Sequence, residues 1–254
     1  MKKLIPALAL AALTPTVWGI QGTVSTDLDS KTGDIKWMPR AKSYVVSFKK
    51  GKTNVESEFK LADVTSLEIP KPNGFDKLAQ QVASGQGVAA IPALQKIVTD
   101  YRMLVWDKPA ARLLTEAYLA GNKFKEALST AQKVVDEDKA AAYSGALAPA
   151  YWRALFKNGR ADTLEKLLAK AATSGDRAAS AEALIMRGDM IVANGQNTPD
   201  AARKALSEAY LRVVLMYKDA PCAEARKDAV QKAAKCLETC GFASRAETLR
   251  AEIK

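Results

Sequence analysis

The chain has 254 residues, of which 48% are hydrophobic and 26% charged, a composition typical of a globular protein with a substantial core. Lysine and arginine number 38 against 28 acidic residues, which gives a formal net charge of +10, and histidine is absent. This composition excludes histidine triads, histidine general bases and histidine metal ligands, and three cysteines are too few for a disulfide scaffold or a four-thiolate zinc site.

The first nineteen residues have the layout of a secretory signal peptide. Residues 1–3 supply a positive start, residues 4–13 form an apolar run, and small residues at 17 and 19 precede a possible cut after Gly19. The apolar run is too short to be a membrane span, which needs about 20 residues. We therefore expect residues 1–19 to be removed on export. The mature protein is then expected to be soluble in the bacterial periplasm or cell envelope, without a transmembrane segment.

Short segments of alternating hydrophobicity follow, with turn signals at residues 30–33 and 49–52. They predict a small β module over residues 20–70, built as a strongly bent sheet or barrel. In shape alone, five such short strands resemble SH3-like or Sm-like small barrels. Prolines at 70 and 72 end the last strand and mark the boundary, because proline cannot donate to a strand ladder. The five predicted strands are residues 22–26, 35–38, 44–48, 54–59 and 64–69.

After Gly74 the composition changes to alanine, leucine, lysine and glutamate, and the apolar residues recur with a helical period. About ten helices joined by short turns are predicted over residues 71–254, so the fold class is mainly α. The clearest helical windows are residues 123–138, 163–172 and 199–217. Asp107 and Thr198 are candidate N-caps. Four glycines follow apolar helices as stop signals, namely Gly121, Gly159, Gly195 and Gly241.

The four glycines lie 38, 36 and 46 residues apart along the chain. Five to seven residues after each comes a small or leucine residue, which would let two antiparallel helices approach closely. Each glycine is expected to end the first helix of a pair in the left-handed conformation. The residues that follow the four glycines are Ala127, Leu164, Ala202 and Ala246.

The segments at 118–128 (YLAGNKFKEAL) and 240–246 (CGFASRA) resemble the tetratricopeptide repeat (TPR) family. The helix over 202–217, with Lys-Asp-Ala-Pro after it, looks like repeats of the Tol–Pal coordinator and of outer-membrane assembly proteins. The resemblance covers residues 107–254, although the signature tryptophan is missing and the spacing exceeds the usual 34. It implies a TPR-like array of antiparallel helix pairs, an α-solenoid that presents a surface to a partner. An unrelated helical bundle is the alternative.

The three cysteines are expected to remain free thiols. If residues 221–239 form one helix, Cys222 and Cys236 lie about 21 Å apart along its axis, whereas a disulfide needs Cα atoms within about 7 Å. No carboxylate pair, phosphate loop or cysteine motif points to catalysis, a metal or a cofactor. The protein is therefore predicted not to be an enzyme and to need no cofactor.

Lysines and arginines are dispersed over the helices, with one small cluster at residues 49–52. A specific nucleic-acid reader would show a concentrated basic stripe, so no specific nucleic acid is expected. Two functions remain open. The first is an exported adaptor that binds an envelope protein or peptide, and the second is a binding module for anionic envelope polymer or lipid through the basic surface. Polar-ended side chains suited to an interface make the candidate partner-binding residues Tyr101, Arg102, Tyr151 and Arg153.

Overall fold

The computed structural model describes residues 19–251, so the predicted signal peptide lies outside the described residues except for Gly19. Of these residues 62% are helical, as the sequence predicts. The chain divides into two compact units, Met1–Pro70 and Lys71–Lys254, and each is described by itself. Within the described range, no helix has both the length and the apolar character needed to cross a membrane.

The first unit is a five-stranded antiparallel sheet with the strand order β4-β3-β2-β1-β5. A single 3₁₀ turn, Leu61–Asp63, connects β4 to β5, the two strands at the sheet edges. The strands are β1 (Ile20–Thr26), β2 (Ser30–Met38), β3 (Ser43–Lys50), β4 (Thr53–Lys60) and β5 (Val64–Glu68).

The turn predicted at residues 30–33 is wrong, because these residues belong to β2. The chain reverses earlier, where the Thr26 N–H donates to the Asp29 carbonyl at 2.8 Å. Gly33 is needed for a different reason, since a Cβ there would lie 2.3 Å from the Ser47 carbonyl oxygen of the neighbouring strand. The turn predicted at residues 49–52 does join β3 to β4, with Gly51 at φ 67°.

One face of the sheet forms the core of the first unit. Cross-strand partners supply it, with Ile35 opposite Val46 and Tyr44 opposite Phe59. These four side chains are buried together with Val24. The alternation along each strand therefore buries one set of side chains and leaves the other at the surface.

The second unit consists of helices joined by short turns. A π-helical turn, Leu206–Tyr210, joins α8 to α9 without a break, so the predicted window at 199–217 is one continuous helix that contains a π turn. The helices are α1 (Phe75–Ala83), α2 (Gly87–Asp100), α3 (Asp107–Ala120), α4 (Phe124–Glu137), α5 (Ala148–Lys157), α6 (Ala161–Ala172), α7 (Arg177–Asn194), α8 (Pro199–Ala205), α9 (Leu211–Met216), α10 (Ala223–Thr239) and α11 (Ala243–Ala251).

Of the two predicted N-caps, Thr198 is confirmed and Asp107 is not. The Thr198 hydroxyl accepts the Ala201 N–H at the start of α8. Asp107 is instead the first residue of α3, and its buried carboxylate accepts the backbone N–H of Met103 at 2.7 Å. The same carboxylate accepts the Lys108 N–H at 2.9 Å, so it ties the preceding loop to the first turn of the helix.

The same turn joins helices at five places in the second unit. In each, a backbone N–H donates to the carbonyl five residues earlier at 2.8 to 3.0 Å, and the residue before the donor has a positive φ. This is the Schellman arrangement. The first four left-handed residues are separated by three equal intervals of 37 residues, and the fifth follows after 45. They are Gly85, Asn122, Gly159, Gln196 and Gly241.

The expectation that all four stop-signal glycines are left-handed is therefore wrong for two of them. Gly121 and Gly195 have φ of −84° and −86°, and the residues after them take the left-handed position. Gly195 serves close packing instead, because a Cβ there would lie 2.2 Å from the Ala201 Cβ. Counting from the left-handed residues shows a regular interval that the glycine spacing hides.

The helices after α2 pack in chain order. α3 contacts α5, α5 contacts α7, and α7 contacts α10, while α4, α6, α8 and α11 each pack against the helix that precedes them. The residues predicted at the close approaches are at most 2% exposed, namely Ala127, Leu164, Ala202 and Ala246. The buried side chains form three clusters that follow one another along the chain, within residues 75–154, 111–190 and 181–236.

All three cysteines are free thiols, as predicted. Cys222 ends a 3₁₀ turn before α10, so the helix starts two residues later than the predicted Pro221. Cys236 lies inside α10 and Cys240 follows its last residue. Burial raises the pKa of Cys236 to about 11, so this thiol stays protonated at neutral pH.

Candidate functional site

The four residues predicted to bind a partner do not share one surface. Tyr101 follows α2 and packs, partly buried, against the first apolar cluster. Arg102 is exposed and donates to the Glu137 carboxylate at 2.9 Å. It lines a cleft of about 790 Å³ between α2 and α4.

Tyr151 lines a different cleft, of about 640 Å³, between α4 and α6. Its side chain is 3% exposed, and its hydroxyl donates to the Gln132 side-chain oxygen at 2.6 Å. Burial raises the pKa of this hydroxyl. Tyr151 therefore holds α5 against α4, and its polar end is already used inside the protein.

Arg153 projects from α5 at a third place, and its side chain is 51% exposed. It donates to the Glu116 carboxylate of α3 at 3.4 Å, and Arg112 donates to the same carboxylate at 3.0 Å. These residues begin a set of charged side chains that crosses α3, α5, α7 and α10. We call this set the charged row, and its members are Arg112, Glu116, Arg153, Glu182, Asp189, Asp228 and Lys232.

The best-connected part of the charged row is Asp189 on α7. Its two carboxylate oxygens accept from the Tyr210 hydroxyl and from the Lys232 ammonium, both at 2.7 Å. Lys232 also forms an ion pair with Asp228 at 3.0 Å. Burial and the charge of Asp189 raise the pKa of Tyr210, so its hydroxyl keeps the proton that it donates. Burial alone would lower the pKa of Lys232, but the two carboxylates raise it, and the ammonium stays charged.

Local structure explains how Tyr210 reaches Asp189. Tyr210 lies in the π turn, which adds a residue to the helical turn and changes the direction of the side chains that follow. On the other side, Gly188 leaves room for the ring, because a Cβ there would lie 2.5 Å from the Tyr210 ring. A glycine in α7 and a π turn in the next helix together bring the hydroxyl to the carboxylate.

Glu182 lies two turns before Asp189 on α7, and it differs from the other carboxylates of the row. Among residues 19–251 its carboxylate has no hydrogen bond and no ion pair. Burial, and then the nearby charge of Asp228, raise the pKa of Glu182. The side chain lines a depression of about 40 Å³ whose other residues are Pro149, Trp152, Arg153, Ile185, Met186, Asp189, Asp228 and Lys232.

The charged row holds four carboxylates and three cations, so it is net negative in a chain whose net charge is +10. The described part of the chain contains no group of three or more cysteine, aspartate or glutamate side chains that could hold a metal ion. The contacts that the charged row does show are ion pairs and hydrogen bonds.

Of the predicted partner-binding residues, only Arg153 belongs to the charged row. Asp189, Tyr210 and Lys232 were missed because their contacts join residues 21 and 43 positions apart. One signal could have found Asp189. Asp189 lies 37 residues after Trp152, which is the interval between the left-handed turn residues. A charged residue therefore occupies the position at which the preceding pair of helices has a buried tryptophan.

No family model, no curated protein and no solved structure matches the chain.

Proposed function

We propose that the protein is an exported, non-enzymatic adaptor of the bacterial cell envelope, and that its helical unit binds a protein or peptide partner across the charged row. The observation that carries this proposal is the position of the row on α3, α5, α7 and α10, which contact one another in order. A chain segment lying across these helices would meet charged side chains on each of them. Surfaces built from successive helices are commonly used in this way.

The recurring turn supports a TPR-like array of helix pairs, or α-solenoid. In such an array each unit buries its apolar side against its neighbours, so equal units repeat the same turn and the same close approach. The left-handed residues at 85, 122, 159 and 196 follow this rule at a constant interval. The longer last interval contains the π turn and the segment before α10.

The first unit has features that support an SH3-like small barrel. Its strand order places β5 beside β1, and one 3₁₀ turn joins the two edge strands. We assign to this β unit a second contact with the partner or a role in fixing the orientation of the protein. Residues 1–19 would direct export, so the N-terminus of the protein isolated from its host is expected near Ile20.

The experiment is affinity capture from envelope extracts of the source organism with the mature chain. Arg153→Glu should reduce partner recovery about tenfold, because it reverses a charge in the row. Its melting temperature should change little, since Arg153 is half exposed and has one long contact. Lys166→Glu, an exposed charge reversal on α6, is the matched control and should capture normally.

Ala127→Leu is the folding control for this experiment. Ala127 is 0% exposed, so the added side chain should destabilise the helical unit by about 1–3 kcal/mol. If Arg153→Glu lowers the melting temperature as much as Ala127→Leu does, Arg153 is part of the structural framework. Normal capture by Arg153→Glu would place the partner on another surface.

Binding of an anionic envelope polymer or lipid is the competing function, supported by the excess of basic residues. Salt dependence separates the two functions. Binding across a row of both signs should be retained in large part between about 50 and about 300 mM salt, whereas binding to a polyanion should be mostly lost.

A further inference from the structure

We infer that the depression beside Glu182 is the subsite for one lysine side chain of the bound partner, with Glu182 and Asp228 receiving its ammonium group. This inference rests on the proposed function, because it names the chemistry of the segment that would lie across the charged row.

Among residues 19–251, the charges around the depression leave the Glu182 carboxylate without a partner. Asp189 is occupied by Tyr210 and Lys232, and Lys232 also neutralises Asp228 in part. Arg153 directs its guanidinium to Glu116. Three carboxylates and two cations line the depression, so one added positive charge would balance it.

The size and the walls of the depression favour an ammonium group on an apolar stem. Its volume of about 40 Å³ exceeds the roughly 10–15 Å³ that a cavity needs to hold a water molecule, and an ammonium group is close to a water molecule in size. Pro149, Ile185 and Met186 supply apolar walls. Such walls suit the methylene stem of lysine, which packs on apolar surface while its charged end reaches a polar group.

Glu182 is an ionisable side chain whose surroundings disfavour its negative charge. The groups that face it are Arg153 from α5, Asp189 from its own helix, and Asp228 and Lys232 from α10. Burial and the two other carboxylates raise the pKa of Glu182, and the two cations only partly oppose them. Uncompensated groups of this kind concentrate at binding and catalytic sites.

The position of the depression in the fold is an independent observation. It is formed with α10, which lies inside the interval from Gln196 to Gly241, the interval that departs from 37 residues. That interval also contains the π turn that brings Tyr210 to Asp189. Insertions in repeats and π turns in helices are both frequent at functional sites.

The test follows the methyl resonance of Met186, which lines the depression, in the mature chain labelled with ¹³C-methyl methionine. Met103, which precedes α3, and Met216 in α9 do not line the depression and serve as comparison reporters. The probes are the blocked peptides acetyl-AAKAA-amide and acetyl-AAQAA-amide, together with n-butylammonium as the free amine. The lysine peptide should shift the Met186 resonance saturably and leave that of Met103 unchanged, with binding of the glutamine peptide about tenfold weaker.

Two variants locate the interaction. Glu182→Gln should weaken binding of the lysine peptide about tenfold, whereas Glu224→Gln, the same change at an exposed position of α10, should leave it unchanged. Equal binding of the two peptides, or equal binding of the lysine peptide to Glu182→Gln and the wild type, overturns the inference. If n-butylammonium binds as tightly as the lysine peptide, the occupant is a small amine, and the partner assignment is overturned.

Failure of this inference is distinguishable from failure of the proposed function. If wild type and Glu182→Gln capture a protein partner equally well, the adaptor function stands and the lysine subsite is wrong. If the lysine peptide binds as described and the charge reversal of Arg153 has no effect on capture, the subsite stands and the adaptor surface is wrong.

Discussion

Trp152 in α5 and Asp189 in α7 occupy equivalent positions, each seven residues before a left-handed turn residue, yet their surroundings are opposite. Trp152 is fully buried among apolar side chains, and its ring N–H donates to the Ala142 carbonyl at 2.8 Å. Asp189 is held by Tyr210 and Lys232. One backbone position thus supports either an apolar anchor or an ion-paired network. Because burying a charge costs stability unless it is paired, the second arrangement depends on the contacts that Tyr210 and Lys232 make with Asp189.

The largest effect is expected at the apolar position. Trp152→Ala should destabilise the helical unit by about 3–5 kcal/mol, because it removes a large buried side chain and leaves a cavity. The melting temperature, followed by circular dichroism at 222 nm, should fall by roughly 10 °C. Phe242→Ala is the control. Because Phe242 is 45% exposed, its removal should lower the melting temperature far less. Equal losses would show that Trp152 is not the anchor of its cluster.

A smaller loss of stability is expected at the ion-paired position, where Asp189 stands in place of a buried tryptophan. Tyr210→Phe removes one hydroxyl that donates to a carboxylate, and it should lower the free energy of unfolding by about 1.5–3 kcal/mol. Tyr118→Phe is a matched control, because the buried Tyr118 hydroxyl accepts from the neutral Gln95 amide at 2.6 Å. Its loss should be about 0.5–1.5 kcal/mol. Urea unfolding measures both, and equal losses would mean that the charge of Asp189 adds nothing.

The smallest effect on stability is expected at Glu182, whose carboxylate, unlike those of Asp189 and Asp228, has no ion pair among the described residues. This effect depends on pH. The pKa of Glu182 is raised in the folded protein, so the folded state binds this proton more tightly, and the stability it contributes is lost as pH rises through the folded pKa. The free energy of unfolding of Glu182→Gln should therefore equal that of the wild type near pH 4 and exceed it by about 0.5 kcal/mol at pH 8.

Thermal unfolding of the two proteins across this pH range measures the difference. Glu224→Gln, at an exposed position, should give a difference that does not change with pH. A wild type more stable than Glu182→Gln at pH 8 would mean that the Glu182 carboxylate is stabilised by partners in the folded protein.

Much of the fold is predictable because its signals are local. Alternation along each strand and apolar stripes along each helix depend on neighbouring residues, and the observed elements follow them within a few positions. The regular 37-residue interval was hidden because a left-handed turn residue need not be glycine. Asparagine adopts this conformation with little strain, but Gln196 gives no such sign in the sequence.

The charged row was less predictable, because its contacts depend on which helices become neighbours. Lys232 and Asp189 lie on α10 and α7, and no short pattern brings them together. The preference for side chains with a polar end selected Tyr151, whose hydroxyl donates to Gln132 inside the protein. It also selected Arg153, which does lie in the row. Ion pairs between residues far apart in the sequence can be identified only when the packing of the helices is known.

The order of the three apolar clusters has a consequence for local opening. Because each cluster draws on a limited stretch of the chain, α10 and α11 can open while the cluster within residues 75–154 stays packed. Amide hydrogens of the last helix pair would then exchange through this partial opening. A partner bound along the charged row would contact α3, α5, α7 and α10 at once. Binding would therefore suppress the partial openings and make the separate stretches exchange as a single cooperative body.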